Sequence, residues 1–141
     1  MPTLERTITS AEVARALLDA IVGRDHDALR RLLADDVWLR AMLVRDVVEH
    51  HDAAAAVEAF RGWFGGAVDL EVLHTSHHSV ATREHITYRL RLRPEWAPDV
   101  WHVIEQTGYA RVHDGEIRRL DLVCTGFAPE PGPDHAAPDG G

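Results

Sequence analysis

The sequence predicts an α+β fold: a roll in which three N-terminal helices pack on one face of a strongly curved, mixed, mostly antiparallel sheet. Three observations carry this. Helical spacing of apolar residues is concentrated before residue 65. Long period-two alternation dominates after it. Two of the alternating runs meet at Asp114-Gly115, a dipeptide that favours the tight turn of a β-hairpin. Helices collected early and strands late give an α+β layer arrangement. The expected organisation is a flexible arm over 1–8, one domain over 9–128 and a disordered tail over 129–141. At 141 residues the chain has room for one real core and too few residues for two.

The elements follow in order. Thr9 and Glu12 have the spacing of a capping box, and Val13, Leu17, Ala20 and Ile21 form a helical stripe behind them. Gly23 is expected to end this helix in a left-handed conformation. Asp25 can cap a second helix with Leu29, Leu32 and Leu33 inside, closing at Ala34-Asp35-Asp36. Val37 to Met42 reads as a strand, with a short extended piece through Val44 to Glu49. Asp52 opens a third, Ala-rich helix with Val57, Phe60 and Phe64 on its apolar side, stopped by Gly65-Gly66.

Val68, Leu70, Val72 and His74 share one face of the next strand. Then Ile86, Tyr88, Leu90 and Leu92 alternate with His85, Thr87, Arg89 and Arg91. Pro94 to Pro98 is a turn, since two prolines do not sit in a central strand. The hairpin about Asp114-Gly115 ends near Phe127. The tail from Pro129 is rich in Pro, Gly and Ala and has no apolar anchors.

A net charge of -8 argues against general binding to nucleic acid or to anionic membrane. No apolar run approaches a membrane span, and the first residues lack the apolar core of a signal peptide. With one cysteine, Cys124, no intramolecular disulfide can form, and a cytoplasmic location is expected. Among ten histidines, the pairs His50-His51 and His77-His78 would diverge on strands, and no HExxH or Cys cluster is present. No metal is expected. Without a phosphate-binding glycine loop or a dinucleotide fingerprint, no cofactor is expected either.

Three stretches carry a resemblance to a known family. They are Gly23 to Leu29 with Leu33 to Val37, the Ala-rich helix ending at Ala59-Phe60, and Tyr109 to Ile117. Over about Ser10 to Phe127 the chain resembles the nuclear transport factor 2-like superfamily, in its SnoaL-like and ketosteroid-isomerase-like branch. The resemblance implies a cone-shaped roll with a conical cavity, and often a homodimer formed through the sheet. It does not fix an activity, since members include isomerases, cyclases, hydratases, epoxide hydrolases and non-catalytic proteins. The ketosteroid isomerase residues would fall near Ala16, Ala41 and Gly108, none of which can perform the proton transfer. The Asp-Arg-Asp set of limonene-type epoxide hydrolases is not visible.

The hairpin register selects the remaining candidates. A two-residue loop at Asp114-Gly115 would put Arg119 and Asp121 on the face of His102 and Gln106. A three-residue loop, His113-Asp114-Gly115, would put Leu120, Leu122 and Cys124 there. The second option separates polarity better and is preferred. On it, His102 is the candidate acid or base, with Tyr88 and His74 as further catalytic candidates. Gln106, Trp38, Phe60, Trp63, Leu120 and Cys124 are the candidate substrate contacts. Each also has a plain reading: a hydrogen-bonded core His or Gln, core aromatics, a structural thiol.

Two functions fit. One is a cofactor-free isomerase, cyclase or hydratase acting by acid–base catalysis on an apolar, oxygenated substrate. The other is a non-catalytic dimeric ligand-binding or scaffold protein with the same cavity. The partners expected in either case are a small apolar molecule and a second copy of the chain.

Overall fold

The computed structural model describes residues 8–130. The arm and most of the tail expected at the two ends therefore lie outside the described residues. Helix α1 spans Ser10–Val22 and α2 spans His26–Leu32. Strands β1 (Leu33–Met42) and β2 (Val47–His50) form a hairpin, and α3 (Ala53–Phe60) follows. A single π-helical turn, Arg61–Gly65, extends α3. Then come β3 (Asp69–Val80), β4 (Arg83–Arg93), β5 (His102–His113), β6 (Glu116–Cys124) and the two-residue β7 (Ala128–Pro129).

The caps read from the sequence form as side-chain bonds. Thr9 N–H donates to Glu12 Oε1 at 2.8 Å, and Glu12 N–H donates to Thr9 Oγ1 at 3.1 Å. Asp25 accepts from Ala28 N–H and Asp52 accepts from Ala55 N–H. The end of α1 differs from expectation. Gly23 keeps a right-handed conformation, and Arg24 takes the positive φ of 54°. The Arg24 guanidinium donates to the Ala67 carbonyl at 2.8 Å and reaches the Phe64 carbonyl at 3.5 Å. Those bonds hold the strained residue in place and tie the end of α1 to the end of the π turn.

The sheet is mixed. Its order is β2-β1-β6-β5-β4-β3, with β7 added to β5. The β1·β6 pair is parallel and the rest are antiparallel. Helix α2 stops four residues earlier than its expected end, because Leu33 already pairs with Ile117 of β6. Ala34-Asp35-Asp36 thus opens a strand, and Val37, Leu39 and Ala41 are buried by it.

The expected strongly curved, cone-shaped roll is not what forms. The sheet is open: the path ends at β2 on one side and at β3 on the other, and these edges do not pair. Strand β3 is exposed along most of its length, although α1 lies against part of it. The reason lies in its composition. Residues 74–79, His-Thr-Ser-His-His-Ser, offer polar side chains to both faces and no apolar row to draw the strand inward.

The core lies between α1, α3 and the inner face of β1, β4, β5 and β6. Its largest buried side chains include Tyr88, Phe60, Phe64, Leu17 and Leu92. Strand pairing continues to Pro129, and Glu130 closes an ion pair with Arg91 at 2.8 Å.

Candidate functional site

The turn between β5 and β6 combines features of both expected registers. Asp114 and Gly115 have φ of 52° and 77°, and His113 pairs directly with Glu116, so the loop has two residues. Both φ values suit a type I′ turn. Yet Val112 faces Ile117 while Arg111 faces Arg119, so β6 carries one extra residue at Arg118. This β-bulge reverses the parity that the short loop alone would impose. Leu120, Leu122 and Cys124 therefore share the inner face with His102 and Gln106. Asp121 turns outward and pairs with Arg119 at 2.8 Å.

Across the inner face, the register places Tyr88 opposite Gln106 and Gln106 opposite Cys124. These three side chains form one row across β4, β5 and β6. The Tyr88 hydroxyl donates to the Gln106 side-chain oxygen in a short, buried hydrogen bond. Tyr88 and Gln106 are both fully buried. Gln106 Nε2, with two N–H donors, has no partner among the described residues. A buried donor left unpaired costs about 1–3 kcal/mol, so this one stands out. Burial pushes the Tyr88 phenol well above its ordinary value of 10.0, and the nearby Cys124 adds to the shift. Tyr88 therefore stays a neutral donor at physiological pH.

The row leads to a pocket of about 600 Å³ lined by Leu43, Val44, Trp63, Trp96, Cys124 and Phe127. Four segments remote in sequence supply these walls, the β1–β2 loop with Leu43 and Val44 among them. The π turn presents Trp63 to the pocket while sending Phe64 into the core. The loop between β4 and β5 supplies Trp96, and the segment after β6 supplies Phe127. Gly126 makes the last possible: its φ is 83°, and an added Cβ would stand 2.5 Å from Val44 Cγ2. Rings connect the pocket to the buried row, with Trp96–Phe127 at 6.0 Å, Phe127–Phe64 at 6.5 Å and Phe64–Tyr88 at 6.4 Å.

His102 faces inward and is buried, as expected, but it does not line this pocket. Its Nδ1 lies 2.9 Å from the Val100 carbonyl, and Trp96 packs edge-on against its ring at 4.9 Å. Because a carbonyl only accepts, Nδ1 carries a proton, and in the neutral ring the lone pair is on Nε2. His74 does not join the group. A bulge at Leu73 shifts the β3 register, so His74 pairs with Arg89 on the outer face and is exposed. Trp38 is also on the outer face, beneath the Arg119 guanidinium at 4.1 Å. Phe60 and Leu120 are core residues. Only Trp63 and Cys124 of the expected contacts line the open space.

Trp96 and Phe127 were not singled out from the sequence. Trp96 sits in a proline-bounded turn, and an aromatic in an otherwise polar turn is the signal that could have marked it. Glu84, buried on the inner face, is occupied by Ser79 Oγ at 2.9 and 3.0 Å. Among the described residues no three His, Cys, Asp or Glu side chains are grouped to hold a metal. Among the same residues no helix is long and apolar enough to cross a membrane.

No protein-family profile matches the chain, and no curated protein matches it. Solved structures do. IdmH, a proposed polyketide cyclase from Streptomyces antibioticus, superposes with TM-score 0.68 at 13% identity, covering 84% of this chain and 93% of that one. An NTF2-like protein of unknown function from Cytophaga hutchinsonii gives 0.60 at 10% identity, covering 88% and 94%. An LEH-like epoxide hydrolase from M. tuberculosis gives 0.59 at 15% identity, covering 82% and 81%. The chain has the nuclear transport factor 2-like fold. Likeness at these identities reports the fold and not an activity.

Proposed function

We propose that the chain binds a small, largely apolar, oxygenated molecule in the aromatic pocket beside Cys124. The observation that carries this is the pocket of about 600 Å³ walled by Trp63, Trp96 and Phe127, whose lining also includes Asp46, Cys124 and Thr125. An apolar cavity with a few convergent polar groups is the usual form of a small-molecule site. Trp63, Trp96 and Phe127 would cover the ligand's apolar body, and Asp46 and Thr125 would offer polar contacts at its edge. The polyketide cyclase and epoxide hydrolase assignments of the similar structures accord with ligands of this kind.

A second reading adds chemistry: cofactor-free isomerisation, cyclisation or hydration by acid–base catalysis. One observation favours it, the Nδ1–H bond of His102 to the Val100 carbonyl, which in the neutral ring puts the lone pair on Nε2. Reaching a ligand from there requires Trp96 to swing away. A thermal-shift screen of oxygenated aromatic compounds, followed by mass analysis of what is recovered, separates the readings. Binding without conversion supports the first. Conversion that falls about a hundredfold in His102→Ala supports the second. No thermal shift with any such compound overturns both.

We propose a second copy of the chain as the partner for the outer sheet face. Trp38, Met42, Tyr109 and Val123 are exposed on that face among mixed charges, including the Arg89–Glu105 pair at 2.8 Å. Light scattering that gives twice the chain mass supports this homodimer, and the monomer mass overturns it. A lone free thiol suits the reducing cytoplasm, where we place the protein.

A further inference from the structure

One wall of the aromatic pocket is a tight turn. Leu43 N–H donates to the Asp46 carbonyl at 2.7 Å and closes the β1–β2 hairpin around Val44 and Arg45. Asp46 Oδ1 accepts from Val47 N–H at 2.8 Å. Val44 packs on Gly126, where an added Cβ would stand 2.5 Å from Val44 Cγ2. The turn is thus pinned from its own strand and from the segment after β6, and it holds Arg45 on the pocket wall.

The polar side chains of that wall differ in what they have left to offer. The Thr125 hydroxyl accepts from Glu105 N–H at 2.9 Å and donates to the Gly126 carbonyl at 3.1 Å. Cys124 Sγ accepts from Gly126 N–H at 3.4 Å. Asp46 spends Oδ1 on its own turn. Arg45, the one cationic side chain lining the pocket, has no hydrogen bond or ion pair among the described residues. Arg40, Arg61 and Arg119, by contrast, pair with Glu49, Glu58 and Asp121. The indole N–H groups of Trp63 and Trp96 have no partner among the described residues either. The wall therefore keeps unused donors beside aromatic surface, with a positive charge on its exposed edge.

We infer that this pocket takes an aryl-alkyl carboxylic acid in its ionised form, with Arg45 bonding the carboxylate oxygens and Trp63, Trp96 and Phe127 covering the hydrocarbon. The inference rests on the small-molecule reading of the pocket and names the ligand's oxygenated group. A guanidinium presents a planar fork of N–H donors that matches both oxygens of a carboxylate, whereas a neutral carbonyl engages only part of it. On the exposed edge the anion keeps part of its water, so the pair escapes the penalty of burying charge. A carboxylate also carries a single charge, which limits its repulsion by Asp46 and by the net charge of -8. A phosphate dianion would meet about twice that repulsion.

The test titrates the full chain, read by tryptophan fluorescence at neutral pH, with ligands of similar shape. They are hydrocinnamate, benzylacetone, in which a methyl replaces one carboxylate oxygen, and the cationic phenylpropylamine. At low salt hydrocinnamate should bind about fivefold tighter than benzylacetone, and the amine should bind weakest. Arg45→Met should weaken hydrocinnamate by about tenfold and leave benzylacetone within about twofold. Asp46→Asn, which keeps the Oδ1 acceptor of the turn, should tighten hydrocinnamate by about twofold. Raising NaCl from about 20 mM to about 500 mM should weaken hydrocinnamate by about threefold and spare benzylacetone. Benzylacetone binding as tightly as hydrocinnamate, the amine binding tightest, or equal losses for both ligands in Arg45→Met overturns the inference and leaves the binding reading standing. If Arg45→Met does not fold, the order of the ligands and the salt response of the native chain decide alone. Saturable binding by none of these compounds removes both readings.

Discussion

The Tyr88 hydroxyl donates to the Gln106 side-chain oxygen across the β4–β5 pair, in the driest part of the inner sheet face. Removing that hydroxyl leaves the Gln106 side chain with no hydrogen-bond partner among the described residues. Tyr88→Phe should therefore destabilise the fold by about 1–3 kcal/mol, read as a lower urea midpoint at unchanged slope. A midpoint equal to that of the native chain would mean the bond contributes nothing.

The same phenol makes stability sensitive to alkali. Burial raises its folded pKa well above 10.0, so the folded chain holds the Tyr88 proton where the unfolded chain releases it. That contribution is complete below about pH 10 and is lost as pH climbs from there through the higher folded value. The native chain should lose more stability between about pH 9 and about pH 11 than Tyr88→Phe does. Equilibrium unfolding of both chains at the two pH values measures the difference.

Gly108 lies in β5 where β6 comes closest. A Cβ there would stand 1.9 Å from the Asp121 carbonyl oxygen and 2.8 Å from Leu122 Cδ2. Backbone is in the way, so a side chain cannot be accommodated by a rotamer change. Gly108→Ala should cost about 3 kcal/mol and lower the melting temperature accordingly. This contact also explains why the acid that ketosteroid isomerases would place near this position has no room here.

Arg24 joins the α1–α2 corner to the end of the π turn through the Ala67 and Phe64 carbonyls. Bonds from a charged donor are worth more than neutral ones. Arg24→Met should lose about 2 kcal/mol of stability. It should also loosen Trp63, seen as a shift in tryptophan emission and weaker binding of benzylacetone.

Trp96 covers His102 and walls the pocket, yet it is 66% exposed. A ring this exposed should contribute little to stability, and on the proposed function much to binding. Trp96→Ala should weaken benzylacetone binding by about tenfold and change the melting temperature little. A large drop in melting temperature would show that the ring belongs to the core instead.

Much of this arrangement was legible along the chain. The Thr9–Glu12 box and the Asp25 and Asp52 caps depend on residues within one turn of each other, so local spacing sufficed. The alternation of β4 put Tyr88 inside, and the polarity pattern of the hairpin put His102, Gln106 and Cys124 on one face, because a strand's faces follow from its own period of two.

What only the tertiary structure decided depends on residues distant in sequence. The bulge at Leu73 that turns His74 outward and the extra residue at Arg118 are set by cross-strand pairing, which no single strand records. The sheet stays open because β2 and β3 never meet, a fact about two edges rather than about either segment. The pocket exists because the β1–β2 loop, the π turn, the Trp96 loop and the segment after Cys124 converge in space. Convergence of loops is governed by packing of the elements that carry them, and periodicity within each element is silent about it.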